Sequence, residues 1–302
     1  MQQFVFWASY LFLPLLLASL VFAAKATGSK RRIAVLAFIA FSILVYARFV
    51  EPHILRVEHT EIALEGAVAD GPKIKIALFS DTHFGVFRNA VSMQRIVDRL
   101  AHEAPDAVMI AGDILYYSSP DDIPAELAAL ADLRMPIFAV LGNHDVGFPG
   151  PIYTKDLYAA LTDLGVILVE NRAQLVTLAN QQVVVAGASD LWEQRQDFAF
   201  SANLPDAPIF LLTHNPDTAF EAPAGIDYDL MLAGHTHGAQ IRLPGLIDRV
   251  IPTRHSFDKG LHPVKLGAET RRVFVTPGTG MVGLPFRFNM PPRIDILTIV
   301  VR

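Results

Sequence analysis

The sequence predicts an α/β fold, a parallel sheet covered by helices, carried behind an N-terminal transmembrane helical hairpin. Three observations predict it. Two long apolar runs separated by a basic stretch fill the first 50 residues. From there to Asp163, short apolar runs alternate with segments of helical spacing, the pattern of strand–helix–strand units. Five of the apolar runs stop at a carboxylate, amide or imidazole, and open α/β sheets place their sites at the carboxyl ends of strands.

The first run, Phe4 to Ala24, has 21 residues and is apolar apart from Ser9 and Pro14; a helix needs about 20 to cross a bilayer. The second, Ile33 to Val50, has 18, with Arg48 placed to snorkel to the interface. Between them Lys25 to Arg32 carries four cations in eight residues. Met1-Gln2-Gln3 offers no basic leader, so the first run reads as an anchor and not as a cleaved signal. Because positive loops favour the cytoplasmic side, the soluble part is expected across a bacterial inner or cell membrane, on the periplasmic or extracellular face. Residues 1–55 are thus expected to form the anchor and 56–302 the domain behind it.

A linker passes into an edge strand from Arg56 to Leu64, and Asp70-Gly71-Pro72 turns the chain. Lys75 to Ser80 leads into Asp81-Thr82-His83, Ala107 to Gly112 into Asp113, and Pro136 to Leu141 into Gly142-Asn143-His144-Asp145, with Gly142 expected to allow a sharp turn. Helices are expected over Ala90 to His102, Pro124 to Leu133 and Thr154 to Leu164. From Val166 the texture changes: Val166 to Val169, Gln174 to Leu178 and Gln182 to Gly187 are short strands without helices between them, forming a second sheet or an antiparallel extension of the first. Ile209 to Thr213 ends at His214, and Leu230 to Gly234 at His235-Thr236-His237. Arg272 to Thr276 and Ile294 to Val300 close the domain.

Composition narrows the chemistry. The chain has 302 residues, no cysteine and ten histidines, which removes thiol catalysis and thiolate metal sites and leaves imidazole as the prominent ligand type. Residues 1–56 carry a net +5, residues 57–241 a net −16 and residues 242–302 a net +6. So acidic a middle does not suit a nucleic-acid partner, whereas basic residues near an anchor suit anionic headgroups.

Asp81-x-His83, Gly112-Asp113, Gly142-Asn143-His144-Asp145, His214 and Gly234-His235-x-His237, in this order and each after an apolar strand, resemble the signature of the calcineurin-like metallophosphoesterases. With the two leading helices, and the texture around Thr213 to Asp217 and Gly238 to Ile241, the chain is similar to the membrane-associated bacterial branch of YkuE- and YaeI-like proteins and of a UDP-2,3-diacylglucosamine hydrolase; Ala239 stands where that branch usually has a second glycine. The resemblance implies a two-sheet αββα sandwich. It also implies one ion held by Asp81, His83, Asp113 and His237 and a second by Asp113, Asn143, His214 and His235, with Asp113 shared.

The residues themselves point the same way. Three oxygen donors and four imidazoles without sulfur suit divalent Mn, Fe, Zn, Co or Ni better than Ca or Mg, and seven ligands exceed the needs of one ion. Mn is the leading expectation. Two such ions fit attack of a metal-bound hydroxide on a phosphoester or pyrophosphate, without a phosphoenzyme. His144 is the expected proton donor to the leaving group, with Asp145 a candidate orienting partner that reads more readily as structural, and activity is expected to fall below roughly pH 6 as the ligands protonate. Arg88 and Asn89 are candidates to reach a phosphate. Gly278 to Phe288 reads equally as core packing under a long loop and as a lip for the membrane or for acyl chains, with Arg287 and Arg293 at headgroup level. His53, His59, His102, His255 and His262 have no partner spacing and read as surface residues. The expected substrate is a phosphoester with a lipid part; the competing expectations are a UDP-2,3-diacylglucosamine pyrophosphatase and, from another class, a non-catalytic metal-binding scaffold.

Overall fold

The computed structural model describes every residue except 88–89, 223–225, 244, 246–249 and 267–268. Arg88 and Asn89 therefore lie outside the described residues. The chain begins with α1 (Gln2–Ala8), a 3₁₀ turn over Ser9–Leu11, α2 (Phe12–Lys25) and α3 (Gly28–Phe49). Pro14 has no N–H to give to Tyr10, which accounts for a tightened turn just ahead of it. The basic stretch is not a loop: only Ala26–Thr27 turns, and Lys30, Arg31 and Arg32 open α3. Most of the hairpin's large apolar side chains, among them Leu17, Phe22, Ile33 and Leu36, are exposed, so these are not core helices of the domain. Arg48 does not snorkel. It is buried, donates to Ser9 Oγ at 2.9 Å and lies 4.6 Å from the Phe6 ring centroid.

The domain is a pair of stacked six-stranded sheets. The first runs in the order β1 (Arg56–Ala63), β14 (Arg293–Val300), β2 (Lys73–Phe79), β4 (Ala107–Ala111), β6 (Ile137–Val140), β7 (Ile167–Leu168). The second runs β12 (Gly260–Leu266), β13 (Glu269–Val275), β11 (Leu230–Ala233), β10 (Ile209–Leu212), β9 (Gln181–Gly187), β8 (Arg172–Leu178). In each, four consecutive strands are parallel, β2-β4-β6-β7 and β9-β10-β11-β13. The texture change at Val166 is thus a second sheet and not an extension of the first.

Alternation along the strands builds three layers of core. Ile76, Leu78, Met109 and Phe138 face Val185, Phe210, Leu232 and Phe274 between the sheets. The opposite face of the first sheet (Ala77, Phe79, Val108, Ile110) packs on α4 (Met93–Glu103), α5 (Ile123–Leu127) and α6 (Thr154–Asp163). The outer face of the second (Val184, Leu211, Met231, Val273) is covered by Tyr228, Phe257 and Ala219. Burial on both faces explains why these strands read as unbroken apolar runs.

Two expectations are corrected. The helix expected over Pro124 to Leu133 is α-helical only to Leu127 and continues as a 3₁₀ helix over Ala128–Asp132, where the three-residue repeat sets Leu127 and Leu130 on the same buried side. A small parallel pair, β3 (Phe84–Gly85) with β5 (Leu115–Tyr116), and the edge strand β12 were not anticipated.

Candidate metal centre

Loops from both sheets meet at one end of the sandwich. Asp81 and His83 follow β2, Asp113 follows β4, Asn143 follows β6, His214 follows β10, and His235 and His237 follow β11. All seven are buried. Asp81, His83, Asp113, His235 and His237 have φ between 47° and 71°, a left-handed conformation unusual for such residues and typical of backbone held in place by a functional site. Gly112, with φ 79°, takes this turn without a side chain. Gly142 serves differently from the sequence reading: a Cβ there would overlap the Asp113 carboxylate, so glycine is required for close approach and not for a turn.

The seven donors form two groups joined at Asp113. In one, Asp81 Oδ1 lies 3.3 Å from His237 Nε2 and 3.8 Å from His83 Nε2, and the two imidazole nitrogens are 3.0 Å apart. In the other, His214 Nε2 lies 3.2 Å from Asp113 Oδ2, 3.1 Å from Asn143 Oδ1 and 3.0 Å from His235 Nδ1. Asp113 Oδ2 is also 3.6 Å from His83 Nε2, so one carboxylate oxygen faces both groups.

In five of the seven the atom that does not face the shared space is tied elsewhere. Asp81 Oδ2 accepts from His235 N at 3.0 Å and from Ser80 Oγ, leaving Oδ1 buried without a hydrogen bond. Asp113 Oδ1 accepts from His144 N at 2.8 Å. His214 Nδ1 pairs with Ala111 O at 2.7 Å and His235 Nε2 with Pro252 O at 3.1 Å, which fixes each ring's tautomer and presents its other nitrogen. The Asn143 amide nitrogen donates to Phe148 O. Facing lone pairs at these distances is unfavourable unless a cation lies among them, and N/O donors of this kind fit divalent transition metals. Two clusters, Asp81 with His83 and His237, and Asp113 with His214 and His235, can each hold an ion.

The electrostatics suit metal ligation at the carboxylates, His83 and His235, whereas His214 must give up a proton to hold an ion. Burial works to raise both carboxylates, but His237 beside Asp81 and His214 beside Asp113 outweigh it and hold them below the usual range. Burial holds His83 well below an ordinary imidazole and, with His214 adjacent, takes His235 down to about 3. Burial also disfavours charge on His214, yet Asp113 overcomes it and raises His214 to about 10.

His144 lines the cleft above the two groups, its ring edge-on to Tyr116 at 4.9 Å and to His83 at 5.1 Å. Its orienting partner is Pro149 O, 2.9 Å from Nδ1, and not Asp145. Asp145 instead accepts the backbone N–H groups of Gly142, Ile114 and Leu115 at 2.9–3.1 Å, bracing the loop after β4 against that after β6. Nor do the two loop arginines stand at headgroup level. Arg287 is fully buried, donating to Gly280 O, Met290 O, Pro277 O and Gly278 O at 2.8–3.2 Å, and Arg293 pairs with the buried Asp295 at 2.9 Å.

Sequence reasoning missed Asp190 and Trp192. Asp190 is buried after β9, accepts from Trp192 N at 2.9 Å and is raised by burial to about 6; its place after an apolar strand was a usable signal. Trp192, edge-on to His235 at 4.6 Å, carried none.

Two adjacent imidazole–carboxylate clusters that can each hold an ion, at the carboxyl ends of parallel strands, are the arrangement of a metal-dependent hydrolase. Residues 74–239 match the calcineurin-like phosphoesterase family, and the chain belongs to that family of metal-dependent phosphoester hydrolases. It is 29% identical over 269 residues to the uncharacterized metallophosphoesterase YkuE of Bacillus subtilis (84% of this chain, 88% of the relative). It is 31% identical over 242 residues to the phosphodiesterase YaeI of Escherichia coli (75% and 82%). A transmembrane protein with metallophosphoesterase domain from Danio rerio is 28% identical over 297 residues, covering 92% of this chain and 64% of that protein.

Proposed function

We propose that this chain is a membrane-anchored phosphoesterase with two divalent ions, acting on a phosphoester or pyrophosphate presented at the membrane, with a lipid part. Asp81, His83, Asp113 and His237 hold one ion, and Asp113, Asn143, His214 and His235 the other. The observation that carries this reading is Asp113: one oxygen is fixed by His144 N and the other faces both clusters. When bound, such a pair of ions activates water and offsets the charge that builds on the phosphoryl group.

The protein's own groups do the rest. With Nδ1 tied to Pro149 O, His144 uses Nε2 to give a proton to the leaving oxygen as its bond to phosphorus breaks, and recovers the proton from water. Burial lowers the pKa of His144, which makes its protonated form the stronger acid. Asp145 keeps the loops of Asp113 and Asn143 in register. Anchoring is supported by the exposed apolar hairpin, whose first turns dock on the domain: Gln2 Nε2 donates to Tyr116 Oη at 3.0 Å and Phe6 packs with Phe87 and Met281. The charge rule supports a cytoplasmic basic turn and a periplasmic or extracellular domain.

The test is Mn-dependent hydrolysis of bis(p-nitrophenyl) phosphate by the full chain in detergent, with metal analysis of the same sample. Asp113→Ala is expected to lose turnover and at least one ion per chain. Turnover that survives Asp113→Ala refutes the mechanism, and metal uptake without turnover of any phosphoester favours the scaffold.

A further inference from the structure

The cleft over the metal centre has two chemistries. Its floor carries Asp113, Asn143, His144, His235 and His237, whereas one wall is aliphatic, formed by Ile241, Leu243, Val250, Pro252, Val282 and Leu284. At about 630 Å³ it falls in the size range of sites that enclose a whole organic ligand. The floor already supplies every group a phosphoryl centre needs, so hydrolysis does not require the wall. Leu243, Val250 and Leu284 are 40%, 54% and 44% exposed, an apolar rim of the kind that marks a binding surface.

The wall is built and not incidental. Gln240, itself buried, donates from Nε2 to Val282 O at 3.0 Å and Leu284 O at 2.9 Å, and its Oε1 accepts from Val282 N at 2.9 Å. One amide thus locks the segment carrying Val282 and Leu284 to the loop that bears His237. The same segment continues into the hairpin: the Phe286 ring lies 5.8 Å from Phe12, and Arg287 N donates to Ala47 O at 2.9 Å. The segment that forms this wall is therefore also in contact with the exposed helices.

Resting on the function proposed above, we infer that this wall is a subsite for the hydrocarbon tail of the substrate. The phosphoryl group sits over the floor, and the chain runs along Ile241, Val282 and Leu284 toward the hairpin. The occupant is the substrate's own tail because a partner protein seated in the cleft would cover the centre, whereas a tail joined to the reacting phosphate would not.

The experiment compares binding of methyl phosphate and octyl phosphate to the full chain in one detergent, with and without Mn, by calorimetry below the aggregation concentration of either. Kinetics with p-nitrophenyl methyl and p-nitrophenyl octyl phosphate run in parallel. Each methylene removed from water favours binding, so octyl phosphate is expected to bind at least tenfold tighter, with the gain appearing in KM. Leu284→Asp and Val250→Asp, both at exposed positions outside the catalytic groups, are expected to abolish that gain while methyl-ester turnover stays within about twofold. Equal binding of the two phosphates, or a chain-length gain that survives both substitutions, overturns the subsite. Should neither ester turn over while octyl phosphate still binds tighter and loses the gain in Leu284→Asp, the subsite stands and the hydrolytic reading falls.

Discussion

At the residue scale, His144 differs from the seven donors around it. Its backbone N–H holds Asp113 while its ring faces the cleft, so removing the ring leaves the shared carboxylate in place. His144→Ala is therefore expected to keep its metal content and lose about 10²–10⁴-fold in kcat, the usual contribution of a positioned proton donor; metal analysis beside kinetics checks this, and loss of the ions would place His144 among the ligands instead. Asp295 makes a separate case. Buried on β14 between Arg293 and Thr276, it is raised by burial from 3.8 to about 6. The folded protein thus holds this proton more tightly than the unfolded chain. Stability from the group is fully present below about pH 4 and is lost as pH rises through 6. Asp295→Asn cannot titrate, so between pH 4 and pH 7.5 it should gain about 2 kcal/mol on the native protein, since each tenfold change in acidity is worth ~1.4 kcal/mol. Paired urea titrations at the two pH values measure this; a constant difference would refute it. The seven residues that converge were legible because donors at strand ends announce themselves by type and position. The partners of Asp145 and Arg287 were not, since both serve backbone groups brought close only by folding.

At the element scale, the segment from Thr276 to Asn289 decides how firmly the first cluster is held. Gly280 N donates to Asp81 O at 2.7 Å and Thr279 N to Ser80 O at 3.1 Å, and Gly278 packs on the Asp81 side chain so closely that a Cβ there would collide. Arg287 ties the segment together by bonding three of its carbonyls, and that of Met290 just beyond it, from within. Arg287→Met keeps much of the volume and leaves those carbonyls without a donor, at about 1–3 kcal/mol for each one that stays dry. The expected result is a Tm lower by at least 5 °C together with weaker metal binding, and Arg287→Lys should recover part of both; unchanged metal affinity in Arg287→Met would separate the segment from Asp81. The sequence showed this stretch as apolar and glycine-rich, and the fold accounts for two of the glycines: Gly278 and Gly280 approach the loop after β2 too closely for a side chain. Edge strand β12 escaped notice for a related reason. Pro263 reads as a strand breaker, yet β12 pairs only with β13, and a proline at an edge forfeits no second ladder.

For the molecule as a whole, the hairpin and the metal centre are mechanically joined. The sequence placed the boundary of the anchor at residue 55, but Glu51, just past α3, is buried and accepts the N–H groups of Asn289 and Met290 at 2.9 and 2.5 Å. Arg287 bonds Met290 O from the other side, and its segment reaches Asp81. This line of hydrogen bonds was invisible in the sequence, because Glu51 and Met290 are 239 residues apart. It predicts that a change at the foot of the hairpin is felt by the ions. Glu51→Ala leaves the buried Met290 N–H without its acceptor, at about 1–3 kcal/mol, frees the part-buried Asn289 N–H, and loosens the segment that fixes Asp81. Ions that bind only the folded protein add RT ln(1 + [L]/Kd) to its stability, about 4 kcal/mol at a thousandfold excess over Kd. Removing the metals with a chelator should therefore lower the Tm of the native protein, and in Glu51→Ala the same treatment should lower it by less, since the ions already bind more weakly. Two thermal melts of each protein, with Mn and with chelator, give the coupling. Equal chelator shifts in both proteins, with Glu51→Ala simply less stable throughout, would mean that Glu51 holds the segment without tuning the site.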